Sequence, residues 1–243
     1  MGTLASTRRI AVTGAGGGIG AAIVARLLQE GADVIAIDLK GLDSLPGDVR
    51  REQVDLTSAP DLAALVERLY ADDPRPIDLV TSAGIVEDDV AAEDMPIEQF
   101  DAVYAVNIRG VFIACQTFGR ELLARGGGAI VNIASMSGNA IVNFPQKQSA
   151  YNSSKAAVSA LGRSLAVEWG PRGVRVNTLS PGYVDTPLNH LKQAMHDTWR
   201  KDTVLGRFAT PDEVAGAVVF LLGDQSSYFL GAELLMDGGS SLR

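Results

Sequence analysis

Short apolar, β-branched runs alternate with stretches of helical spacing along most of this chain. Arg9 to Thr13 is the first apolar run, Ile19 to Leu28 carries apolar residues at helical intervals, and Asp33 to Asp38 is apolar and β-branched again. Together they predict a βαβ unit. The alternation continues with Val49 to Asp55 as strand, Asp61 to Tyr70 as helix and Ile77 to Ser82 as strand, then helices around Pro96 to Tyr104 and Val111 to Leu123. In the second half Ala129 to Ser135 reads as strand, Tyr151 to Trp169 as a long helix, and Val174 to Ser180 as a strand stopped by Pro181-Gly182. Thr210 stands before Pro211 and three residues before Glu213, which predicts a capped helix over Pro211 to Leu222. Leu234 to Met236 reads as a last short strand. This order predicts an α/β fold, a single doubly wound parallel sheet with helices on both faces, in one domain over residues 1–243.

One stretch departs from the alternation. Between Gly182 and Gly206 the chain is polar and holds both histidines, His190 and His196, with Lys192, Trp199 and Arg200. A connection of that length inside a compact domain is usually functional, so residues 183–206 are expected to form a substrate lid after the sixth strand, with one or two short helices.

Composition narrows the class. With 243 residues, 47% hydrophobic and 21% charged, the chain can bury a substantial core. No run of about 18 apolar residues is present, and Met1 to Arg9 lack the apolar stretch of a signal peptide. A soluble, cytoplasmic protein without membrane contact is expected. The formal net charge of −8, with no basic tract, disfavours nucleic acid as a partner and leaves a small molecule. Cys115 is the only cysteine, so no disulfide can form within the chain, and its apolar neighbours suit a core position.

The first candidate chemistry is a glycine-rich turn. Thr13-Gly14-Ala15-Gly16-Gly17-Gly18-Ile19-Gly20 falls between a strand and a helix, where glycines permit a tight turn and the helix start offers unpaired N–H groups to a pyrophosphate. Asp38, 18 positions beyond Gly20, ends the second strand where a carboxylate can accept bonds from both hydroxyls of an adenosine ribose and repel a 2′-phosphate. Nothing basic stands at Gly17 or Leu39 to offset it, which favours NAD over NADP. A simple turn residue is the competing reading of Asp38. Asp55-Leu56 could bracket the adenine ring, or Asp55 could cap the helix that follows.

The second is a proton-transfer pair. Tyr151 and Lys155 are four apart, hence on one helical face, and an ammonium there favours the phenolate. Taken alone the pair fits a helix-start tyrosine with a solvated lysine. It is not alone: Ser135 ends the preceding strand, at the edge where doubly wound sheets bind ligands, and its hydroxyl could hold a substrate oxygen. Ser137 competes for that role. His190 and His196 lack the partners of a zinc site, so no metal is expected.

At this point the chain resembles the short-chain dehydrogenase/reductase family, with its Rossmann-type sheet, over essentially its full length. The resemblance rests on Thr13 to Gly20, Asp55, Ser82-Ala83-Gly84, Asn107, Ser135, Tyr151, Lys155, Pro181-Gly182 and Met236-Asp237-Gly238-Gly239. It implies that Tyr151 is the acid/base, that Lys155 lowers its pKa and binds the nicotinamide ribose, that Ser135 orients the reacting oxygen, and that Asn107 holds a water linking Lys155 to solvent. It further implies cofactor contacts at Gly14, Gly17, Gly18, Ile19, Gly20, Asp38, Leu39, Asp55, Leu56, Ser82, Ala83, Gly84, Pro181 and Gly182, with the adenosine side near Ser82 to Gly84 and the carboxamide against Val184 and Thr186, just beyond Pro181-Gly182. The family usually has Asn-Asn-Ala-Gly where this chain has Thr81-Ser82-Ala83-Gly84, so altered cofactor affinity is expected there. A homotetramer is also implied, built on the helices from Val111 and Tyr151 and on the last strand.

The activity so implied is NAD-dependent interconversion of a secondary alcohol and a ketone. Ser135 to Gly138 and Ile141 to Gln146 are similar to members acting on polyols and sugars. Ser137, Asn143, Gln146, Gln148 and Tyr183 would then meet substrate. Phe144, Tyr183 and Trp199 could instead line a pocket for a cyclic or aromatic alcohol. A 3-oxoacyl thioester reductase and a non-catalytic NAD-binding sensor are the further alternatives.

Overall fold

The computed structural model describes residues 8–47, 49–142, 145–190 and 193–243, without the side chain of residue 188. Seven parallel strands form one sheet: β1 (Arg9–Thr13), β2 (Asp33–Asp38), β3 (Arg50–Gln53), β4 (Ile77–Thr81), β5 (Gly128–Ile133), β6 (Val174–Pro181) and β7 (Glu233–Met236). Their spatial order is β3-β2-β1-β4-β5-β6-β7. The order reverses direction between β1 and β4, and that crevice is where open α/β sheets bind ligands.

The helices are α1 (Gly18–Gln29), α2 (Ala59–Asp72), α3 (Ile97–Tyr104), α4 (Val111–Ala124), α5 (Met136–Asn139), α6 (Ser149–Trp169), α7 (Pro187–His190), α8 (His196–Asp202) and α9 (Pro211–Leu222). Alternation along the strands feeds two cores. In β1, Ile10 and Val12 pack with Ile23 of α1 and Val214 of α9, while Ala11 points to the other face with Leu62 of α2, Phe118 of α4 and Val158 of α6. Helices therefore cover both faces. Cys115 is fully buried in the second core, and burial pushes its thiol up to about 12.

The predicted β1, β2 and α9 match residue for residue, and α9 opens with the expected capping box, in which Thr210 Oγ accepts from Glu213 N and Glu213 from Thr210 N. Two differences matter. A π-helical turn, Ala105–Gly110, joins α3 to α4, so the two predicted helices run together with Asn107 inside the turn. The segment after β5, to which the sequence assigned no helix, begins with α5, whose N-cap is Ser135.

At the rim formed by the strand N-termini, ion pairs and carbonyl contacts knit the sheet. Arg8 donates to Asp78 (2.7 Å) and to the Leu222 carbonyl, and Asp78 accepts from Ala129 N. Arg175 donates to the Leu221 and Ser226 carbonyls. No helix among the described residues is long and apolar enough to cross a membrane.

Candidate active site

The opposite rim, at the strand C-termini, holds two adjoining cavities. The larger, of about 370 Å³, is bordered by Gly14, Gly17, Asp38, Leu39, Asp55, Leu56, Ser82, Ala83 and Gly84 from the predicted set. It also takes in Gly16, Lys40, Val54, Thr57, Ile85 and Val106, which the sequence reading did not assign. Gly16 and Lys40 flank named positions and were within reach of that reading. Val106 comes in through the π-helical turn, which no local pattern announces.

The turn between β1 and α1 fits a dinucleotide. Gly14 is left-handed at φ +69°, and a Cβ there would lie 2.4 Å from Ala83 N; one on Gly20 would lie 2.0 Å from the Gly14 carbonyl. Only glycine lets the turn close this tightly against β4 and the helix start. The α1 N-cap, Gly17, places no side chain over the first-turn N–H groups. They remain available to a phosphate. Asp38 faces this turn: Oδ2 accepts from Gly16 N (2.9 Å) and Oδ1 from Leu39 N (2.7 Å).

Some expected cofactor contacts sit elsewhere. Gly18 and Gly20 border neither cavity; Gly20 packs under the turn, and Gly18 abuts Thr186. Asp55 accepts from Thr57 N and Oγ (both 2.8 Å) and so braces its own loop, while α2 is capped at Ser58 without a side-chain bond. Thr81, at the departure from the family pattern, donates to Asn132 Oδ1 of β5 (2.8 Å), so its hydroxyl spans two strands.

The second cavity, of about 170 Å³, brings together Ile19, Ser82, Gly84, Ser135, Ser137, Gln148, Tyr151, Lys155, Pro181, Gly182, Tyr183, Val184 and Thr186. Gln146, Asn189 and Met136 complete the wall. Asn143 and Phe144 lie outside the described residues. The polar groups converge because three elements end here: β5 delivers Ser135, the first turns of α6 deliver Tyr151 and Lys155, and β6 delivers Pro181-Gly182.

Lys155 Nζ donates to the Ile133 carbonyl (2.9 Å) and lies 5.8 Å from the Tyr151 ring centre. Burial without a carboxylate partner lowers its pKa to about 8. Burial also dominates at Tyr151, raising its pKa above 10; the hydrogen bond with Ser135 opposes this and the charge of Glu87 adds to it. Desolvation therefore sets the direction at Tyr151, opposite to the depression by Lys155 that the resemblance implies. Ser135 Oγ also accepts from Ser137 N (3.2 Å), and that bond orients the hydroxyl.

Asn107 is fully buried. Its Oδ1 accepts from Ile85 N (2.8 Å), and Nδ2 donates to the Ile85 carbonyl and to Ser154 Oγ. Both amide hydrogens are thus engaged within the protein, and Oδ1 keeps a second lone pair. A Cβ on Gly84 would be 3.2 Å from Lys155 Nζ and 3.4 Å from Asn107 Oδ1, which shows how closely these groups meet.

The 183–206 segment is tied to the body by a bridge between Val184 and Ala209. Within it Trp199, almost fully buried, stacks on Tyr183 at 4.6 Å between ring centres and donates from Nε1 to Gln146 Oε1 (3.2 Å). Burial pushes the Tyr183 phenol up to about 12. His190 pairs with Asp185 (2.6 Å), and His196 Nε2 meets the Asn189 carbonyl (3.0 Å).

Comparison with known proteins agrees with this geometry. The family described as Enoyl-(Acyl carrier protein) reductase matches residues 14–241. Galactitol 2-dehydrogenase (L-tagatose-forming) of Cereibacter sphaeroides is 43% identical over 94% of this chain and 93% of its own length. NAD-dependent glycerol dehydrogenase of Listeria innocua serovar 6a is 35% identical over 96% and 93%. The crystal structure of gox2181 superposes with a TM-score of 0.92 at 39% identity, covering 98% of this chain and 97% of that one. The chain belongs to the short-chain dehydrogenase/reductase family, as an oxidoreductase of alcohol CH–OH groups that uses a nicotinamide dinucleotide.

Proposed function

We propose that the protein interconverts a secondary alcohol and a ketone on a polyol, sugar or similar hydroxylated small molecule, with NAD as its cofactor. The observation that carries this reading is the convergence of Ser135, Tyr151 and Lys155 in a cavity also walled by Ser137, Gln146, Gln148 and Asn189. Several hydrogen-bonding side chains around one acid/base group suit a substrate with several hydroxyls. The relatives named for galactitol and glycerol support the same substrate class.

When bound, the nicotinamide accepts or donates the hydride. Gly14 to Ile19, Asp38 and Ser82 to Gly84 would hold the adenosine and phosphate end; Val184 and Thr186, just beyond Pro181-Gly182, would hold the nicotinamide end. Ser135 donates to the reacting oxygen while Tyr151 removes its proton in oxidation or returns it in reduction. Lys155 offers its ammonium to the nicotinamide ribose and favours the phenolate once that proton leaves. Asp38 supports NAD, because its carboxylate on the Gly16 and Leu39 N–H groups would face a 2′-phosphate. Lys40 borders the same cavity, so both dinucleotides belong in the test.

Residues 1–243 would act as one catalytic unit in the cytoplasm, with 183–206 closing over substrate. A homotetramer would cover Phe112 of α4, Val167 of α6 and Leu235 of β7, all exposed. The test is NADH formation from NAD over a panel of polyols, sugars and cyclic or aromatic secondary alcohols, with NADP in parallel and Tyr151→Phe as control. Polyol turnover that needs NAD and Tyr151 is expected. Turnover of apolar alcohols alone would refute the substrate class, and NAD binding without any turnover would favour a sensor.

A further inference from the structure

Glu87 is buried (4% exposed) five residues past Ser82, on the loop after β4, and the sequence reading gave it no role. Its carboxylate caps the helix that carries Tyr151. Oε1 accepts from Ala150 N (2.8 Å), Oε2 accepts from Tyr151 N (3.0 Å), and Oε1 lies 3.2 Å from Tyr151 N as well. Among the described residues no lysine, arginine or histidine forms an ion pair with it. A buried carboxylate in that position is held by backbone N–H groups and by the positive end of the 21-residue α6.

We propose that Glu87 is a positioning residue that fixes the first turn of α6 and, by its charge, sets the pH at which Tyr151 exchanges its proton. The inference rests on the proposed role of Tyr151 as acid/base. Without Glu87 the exposed N–H groups at the start of α6 would stabilise a phenolate on the same turn. The carboxylate offsets that field, while Lys155, one turn further on, acts in the opposite sense. Tyr151 thus lies between a negative group at the helix start and a positive one beside the cofactor loop. In keeping with this placement, the Glu87 charge raises the Tyr151 pKa.

Besides burial and the Ser135 hydrogen bond, few other groups act on Tyr151. Of the described residues walling the cavity, only Tyr151, Lys155 and Tyr183 titrate, and the Tyr183 phenol stays neutral up to about 12. Ser135 contributes a hydroxyl from the N-cap of α5, just past β5. The neighbouring acids face elsewhere: Asp88 accepts from Gln99 of α3, and Asp89 accepts from Lys147 N. Asp89 and Glu87 between them pin both ends of the segment 147–150, which bears Gln148 of the pocket wall. Two residues before Glu87, Ile85 is gripped by Asn107 and borders both cavities. One loop therefore ties the cofactor cleft, the substrate wall and the acid/base.

Glu87→Gln keeps the shape and removes the charge. Two readouts test it. In cofactor-free protein labelled with 13Cζ-tyrosine, the Tyr151 resonance, assigned by its loss in Tyr151→Phe, should titrate about half a pH unit or more lower in Glu87→Gln than in the parent. In turnover, oxidation needs the deprotonated phenol, so the acidic limb of the kcat profile should move to lower pH by a similar amount, with NADH affinity by fluorescence within about twofold of the parent. Glu87→Asp retains charge but is one methylene shorter, and should lose kcat with its limb close to the parent's. Glu87→Ala serves as the second charge-free variant. A resonance and limb that stay in place in whichever charge-free variant folds would overturn the proposal, and would leave Glu87 as a helix cap alone. Absence of turnover in the parent refutes the proposed function, and the resonance still decides this inference.

Discussion

Replacing Lys155 by methionine should stabilise the cofactor-free protein near neutral pH relative to its effect in alkali. The ammonium is buried with one carbonyl partner, and its pKa falls from 10.5 to about 8. The folded protein therefore gives up this proton before the unfolded chain does. Between about pH 8 and 10.5 the unfolded chain holds more protons, so the lysine's contribution to stability rises with pH. Each tenfold loss of proton affinity on folding corresponds to about 1.4 kcal/mol, so the buried ammonium costs about 3 kcal/mol at pH 7 and under about 1 kcal/mol at pH 10. Lys155→Met also loses the bond to the Ile133 carbonyl, about 1 to 3 kcal/mol at either pH. That loss cancels when the two pH values are compared. Urea unfolding of both proteins at pH 7 and pH 10 should show the variant's stability relative to the parent falling by about 2.5 kcal/mol over that interval. A difference constant to within about 0.5 kcal/mol would mean that burial does not disfavour the Lys155 charge, and the account of the site's electrostatics would fail.

Three smaller experiments probe other parts of the molecule. Gly20→Ala drives a Cβ into the Gly14 carbonyl at 2.0 Å, so NAD affinity should fall at least about tenfold and stability by about 2 kcal/mol, read by fluorescence titration and urea unfolding. Cys115, buried with its pKa near 12, should not react with a thiol reagent in the native protein and should yield one equivalent in urea. Thr210→Ala removes the α9 cap and should cost about 1 kcal/mol, most of it regained in Thr210→Ser.

Elements whose signals are local were readable in the sequence. β1, β2 and α9 follow from apolar runs and capping residues, and the glycine turn declares itself by its place between strand and helix. What escaped depends on distance or on backbone geometry. Glu87 lies 63 residues before Ala150 and 64 before Tyr151, and its neighbours Asp88 and Asp89 make the three look like a solvated acidic run. The turn at 105–110 is spelled with residues that any α-helix accepts, yet its π geometry puts Asn107 against Ile85 and brings Val106 to the adenosine cavity. The motif around Ser135 was legible, but its role as N-cap of α5 was not, since a four-residue helix leaves no periodicity to read. Spacing also suggested that Lys155 would control Tyr151. Spacing cannot report that Lys155 is buried and Tyr151 half-buried, and desolvation decides the direction.

The parallel sheet has unlike rims. All the candidate chemistry lies where the strands end, whereas Arg8, Asp78 and Arg175 do their bonding where the strands begin. Substitutions that tighten the second rim, such as alternatives to the exposed Asp224 that meets Arg8, act a full strand length away from the pocket wall. That rim can therefore be strengthened or weakened while the pocket wall, and with it the choice of alcohol, stays as it is.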